Sequence, residues 1–208
     1  MTSILIIGDI HLGKGLKLGK PGIGGQLNSR IIDTLNLLDW ALEEAKERHV
    51  SVICLTGDIC EDGKPDYFLI YYFFEWLKKC EVENIEVHIV TGNHDLKRNG
   101  KFLSSYLDLI SIAEFPHVFV YKEIKTVFFD NLSITFVPYT DRRALHVDSN
   151  AKAIEEIQSK LDYNSFLLDE IETKIIIGHL SLEGSIYVGD EFDDYSNEIF
   201  CPLTMFTN

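Results

Sequence analysis

The chain has 208 residues, 46% of them hydrophobic and 25% charged, which is typical of a folded globular protein with a substantial core. No apolar run approaches the roughly eighteen residues of a membrane span, and the start lacks the features of a signal peptide. The formal net charge of −14 excludes a broad basic surface for duplex DNA, although residues 1–30 hold four basic side chains and one acid. Four cysteines without metal-binding spacing predict a reduced, cytoplasmic protein, and the lack of a long apolar run predicts that no membrane is among its partners.

The first 90 residues alternate short apolar runs with helical patterns, which predicts βαβ units and parallel strand pairing. Strands are predicted at residues 4–7, 50–55 and 85–90. Between the first two, an apolar stripe from Ile31 to Ala45 predicts a helix, and Asn28 or Ser29 is a suitable N-cap for it.

A second helix is predicted to begin near Pro65, because proline suits the first turn of a helix. One broad apolar stripe of this helix would face the core. Phe68, Tyr72 and Trp76 form a second stripe at i, i+4 and i+8, so the sequence predicts three exposed aromatic side chains. Such a face is suited to a homodimer through residues 65–80, unless a local loop covers it.

Later strands are predicted at residues 117–121, 132–138 and 173–177, and residues 117–138 have the pattern of a small antiparallel meander. A further helix is predicted near residues 151–161. These elements predict one domain over residues 1–208 with an α/β fold, in which two packed mixed sheets are flanked by helices.

Polar side chains follow four of the predicted strands at the point where each strand ends. They are Asp9 and His11 after the first strand, Asp58 after the second, Asn93, His94 and Asp95 after the third, and His179 after the last. Ligands bind at the carboxyl ends of strands in open α/β sheets, so we expect several of these side chains to share one site. A mixed set of carboxylate oxygens and imidazole nitrogens fits manganese, iron or zinc, and its size fits two ions better than one.

Each strand-end group also has an ordinary structural explanation. A Gly-Asp or Asp-x-His segment is more often a turn or a helix cap than a metal site, and Asn93 is suited to an Asx-turn. The stretch GDIHLGKG from Gly8 matches most of a phosphate-binding Walker A loop, but Gly15 occupies the position of the Ser or Thr that binds magnesium. The combination of four strand ends favours a metal site over these alternatives.

The segments GDIHLG, LTGDICEDGKP, VTGNHD and IGH resemble successive motifs of the calcineurin-like metallophosphoesterases. The first and third are similar to those of the SbcD-type nucleases of bacteria and phages, which act with an SMC-type ATPase. The resemblance covers roughly residues 1–180. It implies a two-metal phosphodiesterase, most simply a DNA exo- or endonuclease subunit of an SbcCD-like repair or recombination complex that also forms a homodimer.

The resemblance also implies a cofactor and a set of metal ligands. Two divalent cations are expected, with manganese favoured over iron, zinc or magnesium. Asp9 and His11 would hold the first cation, Asn93 and His179 the second, and Asp58 would bridge the two. A bridging carboxylate is chemically suitable because its two oxygens and negative charge offset the repulsion between the cations.

Further roles are implied for catalysis and substrate binding. By the resemblance His94 would be the catalytic histidine, with Asp95 orienting its ring. A histidine that titrates near neutral pH can protonate a leaving oxygen or stabilise the reacting phosphate. Basic side chains in the loop at residues 13–30 are expected to contact phosphates beside the metals, although a solvated loop explains them equally well. These are Lys14, Lys17, Lys20 and Arg30.

The sequence departs from the family pattern near its end. The pattern closes with a Gly-His-x-His segment that supplies one more ligand to each metal, whereas no histidine follows His179. We therefore expect a chain that is incomplete at its C-terminal end and holds few ordered metals in this form. Two alternatives to the nuclease remain, namely a metallophosphoesterase of small phosphoesters and a catalytically incomplete module for binding or assembly.

Overall fold

The computed structural model describes residues 2–22, 27–99, 102–130, 132–165, 173–185 and 197–206. The chain divides into two compact units, Met1–Tyr121 and Lys122–Asn208. Each unit contains its own sheet and its own cluster of buried apolar side chains. Within the described ranges, no helix is both long enough and apolar enough to cross a membrane.

The first unit is built around a four-stranded parallel sheet. In chain order its elements are β1 (Ile4–Ile7), α1 (Ser29–Glu47), β2 (Val52–Leu55), α2 (Tyr67–Val82), β3 (Glu86–Val90), β4 (Leu96–Asn99), β5 (Phe102–Ser105), α3 (Leu109–Ile112) and β6 (Val118–Tyr121). The sheet order is β1-β2-β3-β6, and each of these strand pairs is parallel. The predicted βαβ units are confirmed, and the carboxyl ends of β1, β2 and β3 lie side by side.

Both long helices of the first unit pack on the sheet. Leu38 of α1 and Leu77 of α2 belong to the same buried cluster as Ile53 of β2. Helix α1 begins with one of the predicted caps, because the side chain of Asn28 accepts a hydrogen bond from the backbone N–H of Arg30. The burial of these apolar faces stabilises the sheet that carries the strand ends.

The structure corrects the predicted aromatic face of α2. Trp76 is only 2% exposed, its ring stacks on that of Phe73, and its indole N–H donates a hydrogen bond of 2.9 Å to the backbone oxygen of Leu38. A buried indole needs such an acceptor, and α1 provides it. Phe68 is exposed as predicted, whereas Tyr72 is half-buried. The other exposed aromatic side chains of the helix are Tyr67 and Tyr71, near its start.

Two regions of the first unit differ from the sequence prediction. Strand β6 does not open an antiparallel meander but joins the sheet parallel to β3, where the hydroxyl of Tyr121 lies 2.7 Å from Nδ1 of His88. This polar contact between neighbouring strands has no local sequence signal. Strands β4 and β5 form an antiparallel hairpin that the predicted elements lack.

The second unit contains β7 (Lys125–Phe129), β8 (Leu132–Val137), α4 (Asn150–Ser165), β9 (Thr173–Gly178), β10 (Ser181–Leu182) and β11 (Phe200–Cys201). Its main sheet has the order β7-β8-β9, with an antiparallel pair followed by a parallel one. Val137 of β8 packs in one cluster with Ala153 and Ile157 of α4. The predicted α/β class, with sheets flanked by helices, is confirmed.

Buried His88 predicts a pH dependence of stability. Burial lowers the pKa of His88 below its ordinary value, although the neighbouring Glu86 acts in the opposite direction. As the pH falls below about 6.5, the unfolded chain binds a proton that the folded ring resists. The free energy of unfolding, measured by urea denaturation, should therefore decrease by up to about 1 kcal/mol between about pH 7 and about pH 5.

The variant His88→Gln should lose this part of the pH dependence. His146→Gln changes an exposed histidine and should behave like the wild type. The prediction is wrong if His88→Gln and wild-type protein show the same change in stability over this pH range.

Candidate metal centre

The turns that follow β1 and β2 are joined by backbone hydrogen bonds. The N–H of His11 donates to the carbonyl of Asp58, and the N–H of Leu12 donates to the carbonyl of Ile59, both at 2.8 Å. Leu12 also forms an isolated parallel bridge with Cys60. Parallel pairing therefore continues beyond the two strands and places Asp58 directly beside His11.

Three of the predicted ligands have a left-handed backbone conformation. The φ angles are +34° at Asp9, +44° at His11 and +50° at Asp58, which residues with a Cβ atom rarely adopt. Strain of this kind persists only where the surroundings hold the backbone, and it is frequent at functional sites. At His11 and Asp58 the hydrogen bonds between the two turns hold it.

The side chains of His11, Asp58 and His94 form a compact cluster in the first unit. One potential ligand atom from each residue lies within 4.8 Å of the other two. Nε2 of His11 is 3.5 Å from Oδ2 of Asp58, and the rings of His11 and His94 meet edge to face with centroids 5.1 Å apart. Oδ1 of Asp58 accepts a hydrogen bond of 3.0 Å from the backbone N–H of His94.

The composition of this cluster fits a divalent transition metal. Asp58 is only 4% exposed, and a buried carboxylate needs compensation by a positive charge or by hydrogen bonds. Each of the two imidazoles can present a lone pair from one ring nitrogen. Nitrogen and carboxylate ligands together are the mixture that iron and zinc bind, and manganese accepts the carboxylate readily.

Glu61 belongs to the same site, although no sequence motif singles it out. Its carboxylate oxygen Oε2 lies 2.8 Å from Nδ1 of His11 and 3.6 Å from Nζ of Lys14. Its backbone oxygen lies 2.7 Å from Nδ1 of His94. In the sequence, Glu61 is marked only as an acidic residue three positions after Asp58, in the turn that follows β2.

The structure corrects the role predicted for Asp95. Its buried carboxylate accepts hydrogen bonds from the backbone N–H groups of Ile59 (2.8 Å) and Gly92 (2.9 Å) and from the hydroxyl of Tyr106 (2.6 Å). Both oxygens are thus used to tie the β2 and β3 turns together, and the His94 ring is oriented by the Glu61 carbonyl instead. Burial raises the pKa of Asp95, whereas the three donated hydrogen bonds act in the opposite direction.

The other predicted ligands occupy strand ends outside this cluster. Asp9 and Asn93 are exposed and lie on the turns after β1 and β3. His179 follows β9 in the second unit, where its N–H donates a hydrogen bond of 3.0 Å to the carbonyl of Val137 and its ring lies against that of Tyr139. The membership of these three residues in one metal site stays a prediction.

The basic loop is only partly associated with the cluster. Lys14 lies beside Glu61, whereas Arg30 lies on α1 with its guanidinium 3.6 Å from the carboxylate of Asp33. Between these two positions along the chain, Lys17 in a short 3-10 helix and Lys20 after it are exposed, and residues 23–26 lie outside the described residues. A short 3-10 helix follows Gly15, rather than the α-helix that a Walker A loop requires.

Comparison with known proteins assigns the chain to a family. The sequence pattern of the calcineurin-like phosphoesterases matches residues 2–203. The chain belongs to this family. The resemblance carried by the four motifs is therefore confirmed, and the family is one whose sites hold divalent metals, in agreement with the cluster at His11, Asp58 and His94.

Two curated relatives bear the names of DNA-processing proteins. A nuclease SbcCD subunit of Staphylococcus saprophyticus is 26% identical over 192 residues, which are 88% of this chain and 47% of that protein. DNA double-strand break repair protein Mre11 of Methanopyrus kandleri is 26% identical over 136 residues, which are 62% of this chain and 28% of that protein. The chain thus spans about half or less of the length of these relatives.

A solved structure agrees with the fold. A dimetal phosphatase from Danio rerio superposes with a TM-score of 0.51 at 13% sequence identity, covering 88% of this chain and 70% of that chain. At such low identity the likeness concerns the fold alone. It confirms the metallophosphoesterase-like α/β architecture.

The close approach of the β2 and β3 turns predicts that Gly92 tolerates no side chain. A Cβ atom at this position would collide with both the carboxylate and the backbone nitrogen of Asp58. Gly92→Ala should therefore lower the free energy of unfolding by about 1–3 kcal/mol in urea denaturation, as overpacked sites do. Gly8→Ala is the matched control, because its Cβ would meet nothing closer than Oγ1 of Thr56 at 3.5 Å. Equal stability of the two variants would contradict the predicted crowding.

Proposed function

We propose that this chain is a metal-dependent phosphodiesterase that cuts DNA as the nuclease subunit of an SbcCD-like complex. The observation that carries the proposal is the cluster of His11, Asp58 and His94, in which two imidazoles and a buried carboxylate converge within 4.8 Å. The cluster lies at adjoining strand ends in a chain of the calcineurin-like phosphoesterase family. Such a set of groups suits phosphoester hydrolysis, where metal ligands and an acid–base residue must act at one phosphate.

The proposal includes two divalent cations. Asp9, His11 and Asp58 would hold the first, and Asp58, Asn93 and His179 would hold the second. Bound divalent cations polarise phosphoryl oxygens and lower the pKa of a water molecule, which supplies a nucleophile near neutral pH. We favour manganese because the set combines carboxylate and amide oxygens with imidazole nitrogens.

His94 is the proposed acid–base residue. Its Nδ1 lies 2.7 Å from the backbone oxygen of Glu61. A carbonyl oxygen only accepts hydrogen bonds, so Nδ1 carries a hydrogen and Nε2 is the nitrogen that takes up or releases the transferred proton. Protonation of the leaving oxygen by this nitrogen is the step that we assign to the side chain.

DNA is the proposed substrate, and an SMC-type ATPase of the SbcC kind is the proposed partner. The names of the two curated relatives, a nuclease subunit and a double-strand break repair protein, support this choice. A chain with a net charge of −14 needs local basic side chains to attract the phosphate backbone of DNA. Lys14, which lies beside Glu61 at the cluster, is suited to such a phosphate contact. The four buried, unpaired cysteines support a reducing compartment such as the cytoplasm.

Metal titration and DNA cleavage test the proposed chemistry together. Wild-type protein should bind Mn²⁺ only weakly in calorimetry and cleave linear duplex DNA slowly when Mn²⁺ is present, because no histidine after His179 completes the ligand set of the family. Asp58→Asn should weaken binding at least about tenfold, because Asp58 serves both cations. His94→Ala should slow cleavage by about 10²–10⁴-fold while the protein still binds Mn²⁺ through its carboxylates. His117→Ala removes a half-buried imidazole that lies beside Glu81 and does not belong to the cluster, so it should match the wild type.

The same assay distinguishes the alternatives. Undiminished cleavage by His94→Ala would remove that residue from the mechanism. Hydrolysis of nitrophenyl phosphate esters without DNA cleavage would indicate a phosphoesterase of small substrates, and absence of both Mn²⁺ binding and hydrolysis would indicate a binding module. The proposed partner predicts that an SMC-type ATPase with ATP raises the rate of DNA cleavage.

A homodimer through α2 is also part of the proposal. Tyr67, Phe68 and Tyr71 are 91%, 38% and 57% exposed and form an aromatic patch near the start of the helix. Each aromatic side chain can bury about 150–250 Å². A second copy packed on this patch would therefore remove from water an apolar area as large as the largest patch of a typical monomer.

Sedimentation at micromolar concentration tests the dimer. The wild type should sediment as a dimer, and a variant with Phe68→Asp and Tyr71→Asp should sediment as a monomer, because buried carboxylates in an apolar interface are costly. Ile112→Asp changes a side chain on α3 that is 75% exposed and should leave the dimer intact. A monomeric wild-type protein would contradict this part of the proposal.

A further inference from the structure

A single residue, Glu61, contacts both imidazoles of the cluster. Its carboxylate oxygen Oε2 lies 2.8 Å from Nδ1 of His11, and its backbone oxygen lies 2.7 Å from Nδ1 of His94. The two contacts reach the same ring nitrogen on both histidines. The opposite nitrogen of the His11 ring, Nε2, faces the carboxylate of Asp58 at 3.5 Å.

The distances of these contacts favour one tautomer for each ring. Carbonyl and carboxylate oxygens accept hydrogen bonds but do not donate them. The oxygens beside the two Nδ1 atoms, at 2.8 and 2.7 Å, are closer than the Asp58 oxygen beside Nε2 of His11, at 3.5 Å, which favours the hydrogen on Nδ1. A neutral ring then has its lone pair on Nε2. Histidines that bind metals usually donate the hydrogen of the other ring nitrogen to a carboxylate or a carbonyl, which fixes both the tautomer and the orientation of the ring.

The side-chain contact has the distance of a hydrogen bond but lacks its alignment. Nδ1 of His11 and Oε2 of Glu61 are both buried atoms, and neither has a hydrogen-bond partner. Unpaired buried polar atoms are costly, so a small rotation that aligns this pair is favourable. The ammonium group of Lys14, 3.6 Å from the same carboxylate oxygen, holds the carboxylate on this side of the loop.

We propose that Glu61 is a positioning residue whose side chain holds His11 as the Nδ1–H tautomer and so presents Nε2 to a divalent cation. Its backbone carbonyl holds His94 as the same tautomer, which leaves Nε2 of His94 available for proton transfer, by a contact that no side-chain substitution removes. The inference rests on the proposed function and adds a residue outside the proposed ligand set. This role also explains the acidic side chain at Glu61, because the hydrogen bond that Glu61 makes to the turn of Leu12 uses its backbone N–H and not its carboxylate.

Nitrogen NMR of the imidazole rings tests the tautomers in metal-free protein at about pH 8, where ordinary histidines are neutral. Wild-type His11 and His94 should both be Nδ1–H tautomers. Glu61→Ala should shift His11 toward a mixture of tautomers and leave His94 unchanged, because the backbone carbonyl remains. Asp62→Ala is the matched control, since the carboxylate of Asp62 accepts a hydrogen bond from the N–H of Lys64 and contacts neither ring.

Calorimetric titration with Mn²⁺ alone is the second measurement. Glu61→Ala should weaken binding by about 10–100-fold, as loss of a partner of a ligating histidine does. Glu61→Gln keeps an oxygen that can accept the Nδ1 hydrogen, so it should recover part of this loss. Asp62→Ala should bind Mn²⁺ like the wild type. Glu61 is partly exposed, so the variants should remain folded, which circular dichroism checks.

The outcomes separate this inference from the proposed function. Unchanged His11 signals in Glu61→Ala would overturn the inference. Equal losses of affinity in Glu61→Ala and Glu61→Gln would also overturn it, because they would indicate a general effect of charge. A wild-type protein that binds no Mn²⁺ would defeat the proposed function, while the tautomers of the metal-free protein would still decide the role of Glu61.

Discussion

The parallel pairing of β1, β2 and β3 is the constraint on which the candidate site depends. Neighbouring parallel strands end at the same edge of a sheet, so turns that are far apart in sequence meet there. The hydrogen bond from His11 to the carbonyl of Asp58 extends this pairing into the turns. The left-handed backbone at both residues is held by the same bonds, and it directs the two side chains into one cluster.

Two buried carboxylates at this edge have different roles because their surroundings differ. Asp95 accepts three hydrogen bonds from the protein, two of them from the turns after β2 and β3, so it acts as a structural clamp. Asp58 faces the imidazole of His11, and His94 is the other ligand-type side chain beside it. A carboxylate satisfied by N–H and O–H donors has little capacity left for a metal, whereas one that faces imidazole nitrogens is arranged for a cation.

Local patterns were sufficient to predict the fold class and the positions of the strand ends. The apolar runs at β1, β2 and β3, the helical stripe of α1 and the cap at Asn28 all depend on residues close together in sequence. The polar residues delivered by each strand, such as Asp58 and His94, follow from the same local patterns. Family membership could also be predicted, because the four motifs are short segments whose residue types and order are visible in the sequence.

Contacts between distant residues decided what the sequence alone left open. Asp95 binds the N–H of Ile59, 36 residues away, rather than the neighbouring His94, and Trp76 is buried because its indole reaches α1 across 38 residues. The sequence by itself therefore determined the class of fold, the family and the side chains that each strand end carries. Only the tertiary structure decided which of these side chains lie in one cluster, and that Glu61 contacts two of them. The reason is that hydrogen bonds and packing across the sheet join residues far apart in sequence, which local periodicity does not encode.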